Sequence, residues 1–189
     1  MTEMTELNEI NGRYHALYSF FRSKACYEAL TPHISKLDTD TTHPFIHIYN
    51  LLIQDVFLSW CKVFGSHSEN CHWKKLIKEH EDFKIALFSE LRLTETEFGA
   101  YWESVIDFRN NWVVHSDPNH KHRPVPYFDI AFRSAKVLFY YIINNYSEYF
   151  EYAGPKSIDE FIENVKNDFT KQLKIRSGCF WNKDLIKKL

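Results

Sequence analysis

The sequence predicts an all-α protein, an up-and-down bundle of about five to six helices. Apolar side chains recur at steps of three and four along most of the 189 residues, which is the spacing of one face of an α-helix. No stretch alternates apolar and polar residues well enough to predict a strand. The 5 glycines, set against 16 Phe, 11 Tyr and 5 Trp, also favour long, closely packed helices with few tight turns.

One globular domain is expected over residues 1–189. A chain of this length with 44% apolar residues can bury one good core, and it is too short for two domains to be favoured. We expect the core at about 5–150 and a C-terminal helix and tail at 157–189.

The first predicted helix covers about 5–30 and stops before Pro32. A polar loop over 31–43 separates it from a second helix over 45–64. The second helix has Pro44 near its first turn and is apolar almost all round, so we expect it at the centre of the bundle. The polar residues within it argue against a membrane span.

A turn-rich cluster then leads into a third helix, which starts at Trp73 and is expected to break near 80–82. Thr94, followed three residues later by Glu97, is the pattern of a capping box, so a fourth helix begins there and ends before Pro118.

The last two predicted helices cover 127–150 and about 157–175. Ser157 and Glu160 form the N-terminal cap of the second of these.

The most informative stretch is 108–118, at the end of the fourth predicted helix. In a projection at about 100° per residue, the apolar residues from 98 onward form one stripe, and Arg109 lies in its middle. Arginine cannot lose its charge, so at such a position it must meet a buried carboxylate, a ligand phosphate or water in a cleft. His115 lies in the last turn, where the helix dipole favours the imidazolium, and Asp117 could orient its ring.

Six residues separate Arg109 from His115, which corresponds to about 120° of azimuth and about 9 Å of rise in a regular helix. The two side chains therefore meet only through the long reach of arginine, through a distortion of the helix, or across two subunits.

The spacing of Arg109 and His115, with Asn110 directly after the arginine, resembles the Arg-x(4-6)-His motif of the HEPN superfamily. Its members are all-helical bundles that include many metal-independent ribonucleases. The stretches 57–66 and 72–76 look like the second and third helices of the abortive-infection, AbiU-like branch. The resemblance covers roughly 10–150.

The resemblance implies a homodimeric endoribonuclease that takes part in abortive infection or a toxin–antitoxin pair. RNA, either tRNA or mRNA, would be the substrate, and an antitoxin protein a further partner. The implied catalytic residues are Arg109, Asn110 and His115. The ribose 2′-hydroxyl attacks the adjacent phosphorus, His115 moves protons, Arg109 stabilises the phosphorane charge, and Asn110 positions the phosphate or the histidine.

Supporting roles are expected for two further groups of residues. The loop carrying Lys121, His122 and Arg123 is the densest positive cluster of the chain and could hold an RNA backbone, although a solvated surface loop is nearly as well supported. Asp55 on the second helix is the candidate acid that neutralises Arg109 when no phosphate is bound.

Composition limits the other function classes. The formal net charge is −2, so any RNA site must be local. The four cysteines are scattered and the first residues are acidic and polar, which favours reduced thiols, no signal peptide and the cytoplasm. No cofactor or metal is expected, because His43 and His47 have no third ligand at close spacing.

Two other interpretations stay open. A non-catalytic HEPN module would bind RNA or a nucleotide without cutting it. A structural dimerisation protein would use the apolar stripe as an interface and Arg109 as a buried ion-pair partner.

Overall fold

The computed structural model describes residues 3–35, 43–114, 124–146, 154–155 and 157–180. At 3–11, 113–114 and 174–180 it describes the backbone alone. Over these ranges the chain forms seven α-helices and one π-helical turn and has no strand, which confirms the all-α prediction. None of the described helices is long and apolar enough to cross a membrane.

The helices follow the predicted order, with one of them divided in two. Their bounds are α1 Glu3–Ile34, α2 Pro44–Phe64, α3 Trp73–Leu76, α4 His80–Leu91, α5 Glu95–Phe108, the π-helical turn Arg109–Val114, α6 Phe128–Tyr146 and α7 Ile158–Phe180.

Helix boundaries differ from the prediction at several places, and α7, for example, extends to Phe180 instead of ending at about residue 175. Helix α1 continues through Pro32 to Ile34, since proline occurs in its last turn and removes a single backbone donor there. The third predicted helix is two helices, α3 and α4, because the chain is extended at Ile77, just before the break expected near 80–82.

The start of α5 is as predicted. Thr94 Oγ1 accepts a hydrogen bond from the backbone N–H of Glu97 at 3.2 Å, and the Glu97 carboxylate accepts one from the backbone N–H of Thr94 at 2.7 Å. Both halves of the capping box are therefore formed.

The chain divides into two compact units: unit 1 is Met1–Phe21 with Gln54–Gly154, and unit 2 is Arg22–Ile53 with Pro155–Leu189. In unit 1, α4 packs against α6, and the indole N–H of Trp60 donates to Ser134 Oγ at 2.9 Å. Fully buried rings fill its interior: Phe20, Phe21, Phe57, Trp60, Phe83 and Phe139.

Unit 2 has a smaller interior. Tyr27 of α1 stacks on Tyr49 of α2, with ring centroids 4.7 Å apart. The Glu28 carboxylate pairs with Lys24 and lies 3.5 Å from the ammonium of Lys166 on α7. The single domain expected over 1–189 stays a prediction.

Candidate functional site

The end of α5 carries the Arg109–Asn110 pair. Arg109 caps the helix with helical backbone angles, and its N–H is directed to the carbonyl oxygens of Val105 and Ile106. From Arg109 to Val114 the chain forms a π-helical turn, in which backbone hydrogen bonds run over five residues instead of four. Such turns are rare and occur frequently at functional sites. Residues 109–114 therefore do not form the regular α-helix on which the expected separation of about 120° between Arg109 and His115 was based.

The Arg109 guanidinium is half-buried and hydrogen-bonds to its own neighbour. Its Nε and Nη2 groups donate to Oδ1 of the exposed Asn110 at 3.1 and 2.9 Å. This acceptor is a neutral amide, so it orients the guanidinium without cancelling its charge.

Cys61 of α2 lies near Arg109. Burial raises the pKa of the Cys61 thiol to about 12, although the charge and hydrogen bond of Arg109 act in the opposite direction. The thiol is therefore protonated at neutral pH and leaves the arginine charge in place.

Aromatic packing holds this end of α5 against α2. Phe108 is buried, and its ring centroid lies 5.1 Å from that of Phe57 and 4.7 Å from that of Trp112. The Asn111 amide donates to the Asp107 carboxylate at 2.6 Å across the start of the π-helical turn. These contacts fix the backbone from which Arg109 extends.

Of the predicted site residues, the structure brings Arg109 and Asn110 together. His115, Asp117 and the Lys121, His122, Arg123 cluster lie outside the described residues. Asp55 is half-buried on α2, and its pairing with Arg109 stays a prediction.

A second feature of the same helix pair was not predicted. A cavity of about 240 Å³ opens where α2 ends and α5 begins. The indole N–H of Trp102 on α5 donates to the carbonyl oxygen of Phe64 on α2 at 2.6 Å, which joins the two walls. Residues that matter for its chemistry are His67, His72, Trp73, Lys74, Gly99 and Trp102. Their only sequence signal was a histidine-containing turn next to a tryptophan.

Arg13 of α1 holds the loop that forms one wall of this cavity. It is fully buried, and its Nη2 donates to the carbonyl oxygens of Asn70 and His72 at 3.3 and 3.2 Å. A buried arginine on the first helix was also not predicted, since its neighbours in space lie almost sixty residues away.

His72 is buried at the inner end of the loop, with 2% of its surface exposed. Its Nδ1 accepts the backbone N–H of Lys74 at 3.2 Å, so in the neutral ring the proton is on Nε2. Burial lowers the pKa of His72 to about 4, and the charges of His67, Lys74 and other nearby bases add to this effect. At neutral pH the ring is an uncharged hydrogen-bond donor.

Over the described ranges, no three His, Cys, Asp or Glu side chains lie close enough together to hold a metal ion. Comparison of the chain with protein-family models, with curated proteins and with solved structures finds no match.

Proposed function

We propose that this protein is a metal-independent endoribonuclease of the HEPN type that acts in abortive infection or as the toxin of a toxin–antitoxin pair. The observation that carries the proposal is the Arg109–Asn110 pair at the π-helical end of α5. A guanidinium oriented by a neutral amide keeps its positive charge for an anionic ligand. Arginine has five N–H donors, and the two bonds to Asn110 leave donors for a phosphate.

In the proposed reaction the 2′-hydroxyl of a ribose attacks the adjacent phosphorus. The O2′–P bond forms, the P–O5′ bond breaks, and the products end in a 2′,3′-cyclic phosphate and a 5′-hydroxyl. His115 takes the 2′-hydroxyl proton or supplies the proton of the leaving oxygen. Arg109 stabilises the charge that develops on the phosphoryl oxygens. The nucleophile belongs to the substrate, so the reaction needs no metal-bound water.

The test is cleavage of end-labelled single-stranded RNA by the purified protein. Arg109→Ala and His115→Ala should each lower the cleavage rate by at least about 100-fold. Arg22→Ala and His47→Ala remove the same side chains from exposed positions and should cleave like the wild type. Cleavage should persist in excess EDTA. Products with 5′-phosphate ends, or complete loss of activity with the chelator, would contradict the mechanism.

Thermal unfolding of the same variants separates this proposal from its alternatives. Arg109→Ala should cost about 1 kcal/mol or less, since its side chain bonds to an exposed neighbour. RNA binding with no cleavage by the wild type would indicate a binding module. An Arg109→Ala variant that unfolds, together with a wild type that does not bind RNA, would indicate a structural role.

A further inference from the structure

The cavity, which is lined by α4, α5, the end of α2 and the segment between α2 and α4, has the size and walls of a site for one planar ring system. Its volume of about 240 Å³ lies below the range of about 300–1,000 Å³ that is typical of sites for drug-sized ligands. Phe98 and Trp102, which are half-buried, line it together with the buried Trp73, so a flat aromatic ligand has two accessible rings to stack on.

Hydrogen-bond donors and a positive charge accompany these rings. The neutral His72 ring has its proton on Nε2. Lys74 places its ammonium 5.5 Å from the centre of the Trp73 ring. Lys84, by contrast, is paired with Glu81 and Glu95 at 3.2 Å each, so its charge is already balanced. A ligand that combines an aromatic ring with a nearby anionic group fits this arrangement.

Gly99 keeps one wall of the cavity open. A Cβ atom at this position would have no neighbouring atom within 4 Å, so no contact inside the protein requires glycine there. Its backbone does not have a positive φ either. A glycine inside a helix costs about 0.5–1 kcal/mol relative to alanine. Glycine at position 99 therefore does not stabilise the folded chain. We infer that it leaves room for a ligand in the cavity.

Trp102, which lines the cavity, and Arg109 lie on the same side of α5. Trp102 precedes Arg109 by seven residues, which in a helix is nearly the same azimuth and about 10 Å along the axis. Phe64 accepts the hydrogen bond of Trp102, and Cys61, about one turn earlier on α2, lies near Arg109. This separation is short enough for neighbouring nucleotides of one strand to reach both.

We infer that this cavity binds a single unpaired base of an RNA strand whose neighbouring phosphate contacts Arg109. The inference rests on the proposed function. Proteins that bind single-stranded RNA stack unpaired bases on aromatic side chains and hydrogen-bond their edges, and stacking is worth about 1–3 kcal/mol per base. The pocket would give the nuclease a base preference close to the cleaved bond.

The test fills the cavity with a larger side chain at position 99. Gly99→Leu places a side chain in the open space, whereas Ala100→Leu adds a leucine at the next, exposed position of the same helix. Calorimetry would measure binding of the four nucleoside 5′-monophosphates, and tryptophan fluorescence would report stacking near Trp73 and Trp102. We expect at least one nucleotide to bind with quenching, Gly99→Leu to weaken it at least 10-fold, and Ala100→Leu to match the wild type.

A charge variant covers the case in which Gly99→Leu does not fold. Lys74→Glu should also weaken nucleotide binding at least 10-fold, and Lys78→Glu, which changes an exposed lysine nearby, should not. Absence of quenching with all four nucleotides, or unchanged binding in both cavity variants, would overturn the inference.

The two proposals fail in different ways. RNA cleavage that depends on Arg109 but is unchanged in Gly99→Leu would support the proposed nuclease activity and contradict the base-binding site. Nucleotide binding that is lost in Gly99→Leu, without RNA cleavage by the wild type, would support the base-binding site and contradict the proposed nuclease activity.

Discussion

At the scale of single residues, Arg13 and Arg109 show two ways of accommodating a guanidinium. Arg13 is fully buried and donates to two backbone carbonyl oxygens, which fixes a loop. Arg109 is half-buried beside an exposed amide and a protonated thiol. The hydrogen bonds of Arg13 give this residue a role in the fold. The charge of Arg109, in the function proposed above, serves to bind an anionic ligand.

His72 gives a prediction about stability and pH. Its folded-state pKa of about 4 lies below the value of about 6.5 expected in the unfolded chain. Below pH 6.5 the unfolded chain binds a proton that the folded protein does not, so stability falls as the pH drops toward 4. We expect His72 to contribute a loss of about 2–3 kcal/mol between pH 7 and pH 4.5, measured by urea unfolding.

The control for this prediction is His72→Asn. Asparagine can accept the backbone N–H of Lys74 as the histidine does, but it does not titrate. Other groups titrate alike in both proteins, so the difference between the two pH profiles isolates His72. Parallel profiles would show that the histidine is not held neutral.

At the scale of elements, α5 has ends of different character. Its start has a complete capping box, and its end passes into a π-helical turn. Thr94→Ala should lower the free energy of unfolding by about 1 kcal/mol, because it leaves an N-terminal N–H without its acceptor. Thr96→Ala, at an exposed position two residues later, should change it by less than about 0.5 kcal/mol. Equal effects in chemical denaturation would mean that the cap does not stabilise α5.

At the scale of the whole molecule, we propose that two copies of the chain share the catalytic cleft. We expect a two-fold dimer of the 22.7-kDa protein, with α5 at or near the interface, so that Arg109 of one copy meets His115 of the other. Light scattering at micromolar concentration measures the mass. An equal mixture of Arg109→Ala and His115→Ala should then recover about a quarter of the wild-type cleavage rate, since half of the dimers hold one intact pair. A monomer would contradict the shared cleft.

The sequence by itself determined the features that depend on near neighbours. Apolar spacing of three and four residues predicted the all-α class, because a helix with about 3.6 residues per turn brings residues three and four apart onto one face. Thr94 and Glu97 predicted the start of α5 for the same reason. The same spacing predicted an apolar stripe along this helix, and Phe108 of that stripe is buried against Phe57.

Tertiary structure decided what depends on residues far apart in the sequence. The cavity needs Phe64 and Trp102 side by side, and the burial of His72 needs Arg13 to hold its loop. Neither pairing produces a periodic pattern in the sequence. The π-helical turn at 109–114 is one of the three alternatives that the sequence left open, and only the structure shows the distortion. A periodic pattern shows which face of a helix is apolar, but packing with distant partners decides which side chains meet across it and where a space remains.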